Sequence, residues 1–420
     1  TAGRTLAAMT DATGAPIYLD HAATAWPKAE GLGAVVAEAA EGPMGNPGRS
    51  PHAFAERSHR MLDDARTAAA QALGLEGEAW RIAFTSGCTE AANGAIRGVA
   101  EGLRLGGVER PKLVCSEGEH HAVRRAVCGL EHAGLAHVAW VRPAPDGSIS
   151  TDAVAEAIGP GADLVCVQHA SNVTAAIHDI EAIGRLAHDH GALLLADAAQ
   201  TAGLLAIDLS SMPIDLLACS GHKSWRGPTG VGLLALGPRF DQRGRWTTSR
   251  GSFTLAPWRL GGAEGSSEPT AMPPELPARF EAGTPNLPGV AGLGHAIRHC
   301  PATARRNDAD ALAHERALRQ RLRQGLQGID GVRLLGPADP AACTGVQSFV
   351  LEGWPCQEVA AALTASFGVA VRAGFHCAPG ACEAVGAPDG CVRASFGPDT
   401  REDEVDVLIR AVRELVGVPA

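Results

Sequence analysis

The residue with the clearest chemical potential is one lysine at the end of an apolar run. Lys223 closes the segment 220–223, which follows the apolar stretch 214–219 and precedes the glycine-rich stretch 227–232. An amine at the buried end of a strand must find a charge partner or lose its proton, because desolvation disfavours the ammonium form. A neutral lysine is a nucleophile, and its recurrent use is a Schiff base with a carbonyl cofactor such as pyridoxal phosphate. The alternative is a strand-end lysine that extends into solvent.

A carboxylate ends a second apolar run. Asp197 follows 192–196, and Gln200 comes three residues later. Ligands of parallel sheets bind at the carboxyl ends of strands, where both Asp197 and Lys223 are expected. A buried carboxylate needs a cation, and the pyridinium nitrogen of pyridoxal phosphate is a suitable one. Alone, Asp197 equally fits a helix N-cap; paired with Lys223, it favours the cofactor.

The turn at 85–90 is a candidate cradle for the phosphate. It follows an apolar run and opens a helical pattern, so backbone N–H groups and the Thr89 hydroxyl can meet an anion at a helix N-terminus. Cys88 lies in the same turn. By itself, such a glycine and serine/threonine turn is also typical of a plain strand-to-helix connection.

Two further polar side chains follow predicted strands. His120, just after the strand predicted at 112–115, can stack on an aromatic ring, although a surface or core histidine is the ordinary reading. Asn172 ends another predicted strand and can hydrogen-bond a ring hydroxyl or a substrate carboxylate, although a lone asparagine there indicates only a turn.

The elements that must hold these residues alternate from about residue 80 onward. Seven short apolar runs lack a period of two, which is typical of strands buried on both faces. Helical patterns fill the gaps, so the fold is predicted to be α/β, a layer with a mostly parallel sheet flanked by helices. The predicted strands are 80–84, 112–115, 138–141, 163–168, 192–196, 215–219 and 232–236.

The sequence changes character after about residue 285. A helix marked by Leu318, Leu322 and Leu326, strands at 346–351 and 369–372, and a capping box at 400–403 predict a smaller α+β domain. Residues 239–278 are rich in Gly, Ser, Pro and Arg, too long for a simple connection, and therefore predicted to be functional or mobile.

Composition limits the class of protein. The 420 residues are 45% hydrophobic and 20% charged, typical of a globular protein of two or three domains. The net charge of −10, without a basic block, gives no indication of nucleic-acid binding. No apolar stretch approaches the roughly 20 residues that span a bilayer, so we expect no membrane association. Eleven irregularly spaced cysteines argue against a disulfide framework and favour the cytoplasm.

Taken in order, these segments resemble the class V aminotransferase superfamily, and within it the branch of cysteine desulfurases and selenocysteine lyases. The resemblance runs from about residue 17 to the C-terminus. It implies a fold-type I pyridoxal-phosphate enzyme with a large domain over 31–284 and a small domain formed by 1–30 and 285–420. The matching stretches are 18–24, 45–50, 85–90, 119–121, Asn172, 197–200, 220–223, 279–286, 372–377 and 393–395.

The resemblance implies a role for each matching residue. Lys223 is expected to bind the cofactor covalently, Asp197 to pair with the ring nitrogen and Gln200 to touch the ring oxygen. His120 is expected to stack on the ring and to be catalytic together with Lys223 and Cys377. Arg393, with Asn172 and Arg372, is expected to bind the substrate carboxylate, which suits the arginine fork. The phosphate is expected to be held by Cys88, Thr89, Ser220 and His222, and by Thr284 of the other subunit in a homodimer.

The choice among pyridoxal-phosphate reactions depends on a cysteine. Cys377 lies where desulfurases carry the thiol that attacks the substrate sulfur, so the resemblance implies conversion of L-cysteine to L-alanine with a persulfide on Cys377. The loop after Cys377 is short, so we expect a sulfur-acceptor protein to come to the site. The alternative is a selenocysteine lyase, a cysteine sulfinate desulfinase or another C–S lyase on a related amino acid.

Several residues depart from the family pattern. His21 stands where relatives often have Asn or Ser, Ala175 replaces a usual glycine, and residues 240–260 are longer than in most relatives. These departures leave room for a changed substrate. Cys382 and Cys391 lie near Cys377, but their spacing is unlike that of zinc motifs, and no metal site is predicted.

Overall fold

The structure is a computed structural model that describes residues 16–48, 50–263, 270–300 and 309–417. Parts of the sequence predictions lie outside these ranges: 1–15, 301–308 and 418–420 of the small domain, 264–269 of the long loop, and Arg49 of a matching stretch.

Secondary structure alternates along most of the described chain. The strands are β1 (Ile17–Tyr18), β2 (Ile82–Thr85), β3 (Lys112–Ser116), β4 (His137–Val141), β5 (Leu164–Gln168), β6 (Leu193–Asp197), β7 (Leu216–Ser220), β8 (Gly232–Leu236), β9 (Arg245–Thr248), β10 (Gly251–Thr254), β11 (Val332–Leu334), β12 (Val346–Leu351), β13 (Val369–Ala370), β14 (Arg372–Gly374) and β15 (Cys391–Ser395). The helices are α1 (Leu32–Glu41), α2 (Ala53–Ala72), α3 (Cys88–Leu105), α4 (His121–His132), α5 (Thr151–Ile158), α6 (Ile180–Asp189), α7 (Leu287–His299), α8 (Ala309–Leu326), α9 (Cys356–Phe367), α10 (Pro379–Ala384) and α11 (Glu402–Leu415).

The seven strands predicted from apolar runs form one sheet in the order β2-β8-β7-β6-β5-β3-β4. β8 runs antiparallel to its neighbours β2 and β7, whereas β7, β6, β5, β3 and β4 pair in parallel. The mostly parallel α/β layer is thus confirmed.

Successive strand residues pack on opposite faces, which explains why the runs lack a polar alternation. Leu194 and Leu217 join a core with helices α2, α5, α6 and α7, whereas Leu193 and Leu216 join a core with α3 and α4. Because both faces are covered by helices, nearly every strand position must be apolar.

The second unit is α+β. Antiparallel strands β11-β12-β15-β14 form its sheet, β1 pairs in parallel with β13, and α8, α9 and α11 cover a separate core. Helix α11 begins one residue later than the capping box at 400–403 predicts, because Arg401 N–H donates to the Glu404 carboxylate (2.7 Å). Thr400 instead accepts from Gly397 N–H.

The packing of helix α7 bears on the boundary between the two units. Helix α7 lies beyond the predicted boundary at 284, but its residues Leu287, Val290, Leu293 and Ile297 pack in the core of the large sheet. Helix α7 therefore packs with the large unit, and we propose that this unit extends to about residue 300.

The described part of the long segment 239–278 is ordered. It contains the hairpin β9–β10, and Trp246 and Phe253 are buried in the core that includes α3. The absence of periodicity in the sequence therefore reflects an irregular packed segment.

Candidate functional site

The predicted site residues meet at the carboxyl edge of the large sheet. Gln168 ends β5, Asp197 ends β6 and Ser220 ends β7, with Gln168 directly opposite Asp197. Lys223 follows three residues after β7, and all four side chains line a cavity of about 320 Å³. The cavity walls also contain Cys88, Thr89, His120, Asn172, Gln200, His222, Arg372 and Arg393.

Lys223 lies in the wall of this cavity. Burial lowers the pKa of its amine below the usual range, while the negative charge of Asp197 opposes the shift. Arg393 and Arg372 lower the pKa further. Lys223 is therefore poised to supply a neutral amine, as a nucleophile or base requires.

Asp197 is buried, with 5% of its surface exposed. Its Oδ1 accepts hydrogen bonds from Ala199 N–H (2.9 Å) and from the Cys88 thiol (3.3 Å). Burial and the neighbouring carboxylate hold the pKa of Cys88 well above its usual range, so the thiol stays protonated as a donor. Cys88 thus orients Asp197 as well as lining the anion turn.

His120 is held by the start of a helix. Its Nδ1 accepts from Ala122 N–H (3.1 Å) and caps α4. Burial lowers the pKa of His120 to about 4, although Asp197 opposes the shift. The neutral ring is thereby fixed in one tautomer with a planar surface in the cavity wall.

One end of the cavity is suited to an anion. Helix α3 begins there. Its N-cap residue is Gly87, which has no side chain to cap the first-turn N–H groups, so these groups remain available for a ligand. Ser220 Oγ and His222 Nδ1 are buried and have no hydrogen-bond partner among the described residues. Burial lowers the pKa of His222 to about 4, so its neutral imidazole can donate one hydrogen bond.

Thr284 lies apart from the main cavity. It is exposed and lines an adjoining cavity of about 180 Å³ that shares Ser86, Glu90 and Gly230 with the first. Within one subunit, the structure therefore does not bring Thr284 to Lys223.

The cavity wall also contains a buried guanidinium. Arg393 Nη2 donates to Asp20 Oδ1 (2.7 Å) and Nη1 to the Asn172 carbonyl (3.1 Å). Within the part of the chain that the structure describes, Arg393 Nε and Asn172 Oδ1 have no partner. Arg372 lies opposite Arg393 across β14 and β15, so two cations face one end of the cavity.

Cys377 is exposed on the loop between β14 and α10. Its neighbour His376 lines the cavity, and both residues have positive φ angles (50° and 59°). The Asn172 side-chain amide donates to the His376 carbonyl (2.8 Å), and His121 N–H donates to the Cys377 carbonyl (2.7 Å). These bonds hold the thiol-bearing turn beside the cavity, although Cys377 itself is not one of the lining residues.

The sequence alone missed some contributors. Asp20 lies in a matching stretch but received no role; it is 373 positions from its partner Arg393, so no local spacing indicates the pair. Gln200 Nε2 donates to the Ala22 carbonyl (3.2 Å), which fixes a side chain that was assigned only to the cofactor. Ala175, which replaces a usual glycine, has φ 68° in the turn after Asn172, a conformation that glycine adopts more easily.

The described residues show neither a metal-binding cluster nor a membrane-spanning helix. They contain no group of three or more His, Cys, Asp or Glu side chains able to hold a metal ion. No helix in the described ranges is long and apolar enough to cross a membrane.

Comparison with known proteins gives consistent matches. The aminotransferase class-V family model matches residues 17–408. A probable cysteine desulfurase of Methanothermobacter thermautotrophicus is 31% identical over 377 residues, 89% of this chain and 88% of the relative. The cysteine desulfurase IscS of Serratia proteamaculans is 31% identical over 418 residues, 96% of this chain and 93% of the relative.

Solved structures agree with these matches. An apo cysteine desulfurase from Thermococcus onnurineus superposes with a TM-score of 0.84 at 30% identity, covering 96% of this chain and 94% of that chain. The cysteine desulfurase CsdA from Escherichia coli gives a TM-score of 0.80 at 28% identity, covering 96% of this chain and 95% of that chain.

Proposed function

Because the chain belongs to the class-V aminotransferase family, we propose that it is a pyridoxal-phosphate-dependent cysteine desulfurase. The reaction converts L-cysteine and the Cys377 thiol into L-alanine and a persulfide on Cys377. The observation that carries this function is the exposed Cys377, tethered through Asn172 and His121 beside a cavity that contains Lys223.

The cavity residues fit pyridoxal phosphate, the cofactor of this family. Lys223 is available for the aldehyde, and Asp197 is a carboxylate for the ring nitrogen. The unpartnered Ser220 Oγ and His222 Nδ1 are buried donors that a phosphate satisfies. When bound, the cofactor supplies an electron sink for bond cleavage at the substrate α-carbon.

The remaining cofactor contacts follow the same logic. His120 presents a neutral ring face, and Gln200 and Asn172 provide amides toward the ring oxygen. Cys88 orients Asp197, while Thr89 lies in the first turn of α3. Thr284 is exposed and outside the cavity, so we assign it to the phosphate of a partner subunit in a homodimer.

Arg393 is the group that binds the substrate carboxylate. Asp20 and the Asn172 carbonyl fix two of its nitrogens, and the unpartnered Nε leaves a donor for the ligand, as far as the described residues show. Arg372 adds a second positive charge to this end of the cavity. With the carboxylate held there, Lys223 Nζ removes the substrate α-proton, since its pKa is lowered.

Cys377 Sγ then attacks the substrate sulfur as a thiolate. A new S–S bond forms on Cys377, the substrate C–S bond breaks, and the three-carbon product leaves as alanine after a proton is returned to carbon. Because Cys377 is exposed, a sulfur-acceptor protein can reach the persulfide directly. None of the eleven cysteines, all of which lie in the described ranges, forms a disulfide, which fits a reducing compartment, and we propose the cytoplasm.

The test measures alanine, sulfide and the mass of Cys377 after incubation with L-cysteine. The native protein is expected to produce alanine and to gain one sulfur atom on Cys377. Cys377→Ala is expected to keep the cofactor chromophore and lose alanine formation from cysteine. Lys223→Ala is expected to lose the lysine-bound chromophore, and a colourless native protein with added pyridoxal phosphate contradicts the proposed function.

A second candidate is a lyase acting on selenocysteine, cysteine sulfinate or a related amino acid. The position of Cys377 outside the lining residues favours it, because a good β-leaving group departs without a thiol. Substrate turnover that is unchanged in Cys377→Ala supports this reaction, whereas a loss confined to cysteine supports the desulfurase.

A further inference from the structure

Part of residues 240–260, which we call the inserted segment, lies in a groove along helix α3. The groove is a row of glycines four residues apart, and residues 253–258 run along it in the opposite direction. A Cβ added to a glycine of this row meets the inserted segment at short distance. The close approaches are Gly94 to the Trp258 ring (2.5 Å), Gly98 to the Ala256 carbonyl oxygen (2.8 Å), Gly102 to the Thr254 carbonyl oxygen (2.1 Å) and Gly106 to the Phe253 ring (2.5 Å).

These distances show that only glycine permits the contact. A Cβ nearer than 3.0 Å to backbone or to a packed ring forces one of the two elements to move. Ala256 N–H also donates to the Gly98 carbonyl (3.0 Å), so the contact includes a backbone hydrogen bond. We refer to residues 253–259 as the strap.

The strap ends at a carboxylate in the first turn of α3. Trp258 Nε1–H donates to Glu90 Oε1 (3.3 Å), and Arg259 Nη1 lies 3.2 Å from the same oxygen. The Trp258 ring stacks on Phe280, with ring centroids 4.5 Å apart. The other oxygen, Glu90 Oε2, accepts from Ser86 N–H (2.6 Å).

Glu90 occupies a position that conflicts with an anion. It lines both the main cavity and the adjoining one, and it is the third residue of the helix whose N-terminus is available to a phosphate. Burial raises the pKa of Glu90, but the Ser86 amide, the Arg259 charge and Trp258 more than offset it, so the carboxylate is ionised. A free carboxylate here competes with a phosphate for the same helix end.

We propose that Arg259 is a positioning residue for the cofactor phosphate, because it neutralises the Glu90 carboxylate and holds it against the strap. The proposal rests on the cofactor named under the proposed function. Arg259 acts through Glu90, and its own side chain, half exposed, has no contact with Lys223 within the described structure.

The experiment measures the affinity of the cofactor-depleted protein for pyridoxal phosphate by absorbance titration. Arg259→Ala is expected to raise Kd about three- to fivefold, since a partly exposed ion pair contributes up to ~1 kcal/mol. Glu90→Gln removes the repulsion and keeps an acceptor for Ser86 N–H. The double variant Glu90→Gln/Arg259→Ala is therefore expected to return to within about twofold of the native Kd.

A matched control and two outcomes make the test decisive. Arg243→Ala removes an arginine of the same inserted segment that pairs with Glu275 (3.7 Å), and it is expected to leave Kd unchanged. An unchanged Kd in Arg259→Ala overturns the proposal, and so does a double variant as weak as Arg259→Ala, because packing alone then explains the loss. If every variant still shows the lysine-bound chromophore at saturating cofactor, the proposed function stands whatever the values of Kd. If the native protein shows no such chromophore, the proposed function is overturned.

Discussion

Replacing Arg66 with methionine tests how the open edge of the large sheet is closed. β2 is an edge strand, and its outward Phe84 N–H and Ile82 carbonyl have no strand partner. The Glu281 carboxylate accepts from Phe84 N–H (2.6 Å), and Arg66 binds both Glu281 oxygens (2.8 Å each) while also donating to the Ile82 carbonyl. One ion pair therefore supplies the hydrogen-bond partners of these two backbone groups at the sheet edge.

The magnitude follows from burial. The Arg66 side chain is 8% exposed and that of Glu281 18%, so Arg66→Met leaves a largely buried carboxylate without its cation. Such a loss costs about 3–5 kcal/mol. For 420 residues, an unfolding entropy of about 0.9 kcal/mol/K converts the lower figure into a fall in Tm of about 3–4 °C.

The assay is urea unfolding followed by tryptophan fluorescence, with thermal unfolding beside it. Arg66→Met/Glu281→Gln is expected to be more stable than Arg66→Met, because the neutral amide still accepts from Phe84 N–H without an unpaired charge. The control is Arg57→Met. Arg57 lies in α2 like Arg66, but its ion pair with Glu38 of α1 is exposed, so its loss is expected to cost at most ~1 kcal/mol. A loss below ~1 kcal/mol in Arg66→Met, or a double variant no better than the single one, refutes the reasoning.

Two further predictions concern titration and the thiol beside Asp197. Burial lowers the pKa of His169 to about 4 in the folded protein, so the unfolded chain protonates this histidine first as the pH falls. The free energy of unfolding is therefore expected to decline below about pH 6.5, by ~1.4 kcal/mol per pH unit toward pH 4. His169→Gln is expected to flatten that decline in urea unfolding measured from pH 7 to 5, and an unaltered slope contradicts the assignment. Cys88→Ala is expected to retain turnover within about threefold, because Ala199 N–H still holds Asp197 Oδ1; a hundredfold loss means that the thiol has a chemical role.

The sequence predicted what depends on local pattern. All seven strands of the large sheet were identifiable because burial on both faces removes polar residues from strand interiors such as 164–167, 193–196 and 216–219. Asp197 and Lys223 were expected together, since parallel strand ends meet at one edge. These rules need only a few neighbouring residues.

Long-range pairings escaped prediction for a physical reason. The Arg393–Asp20 pair joins residues 373 positions apart, and the hydrogen bond from Cys88 to Asp197 joins residues 109 apart. Gly94 and Gly102 weaken a helical pattern locally, and their contacts with the strap exist only after folding. The helix α7 was assigned to the small domain because its sequence does not indicate which core its apolar face joins.

The glycine row of α3 also constrains how this chain can be shortened or can diverge. A glycine within a helix costs roughly 0.5–1 kcal/mol relative to alanine, so the row weakens α3 unless the strap covers it. Deleting residues 253–258 leaves an open groove along α3, whereas replacing the glycines with alanine first leaves no room for residues 253–258. Shortening this segment therefore requires a compensating change in α3, and a minimised version of this protein must fill the groove in the same step.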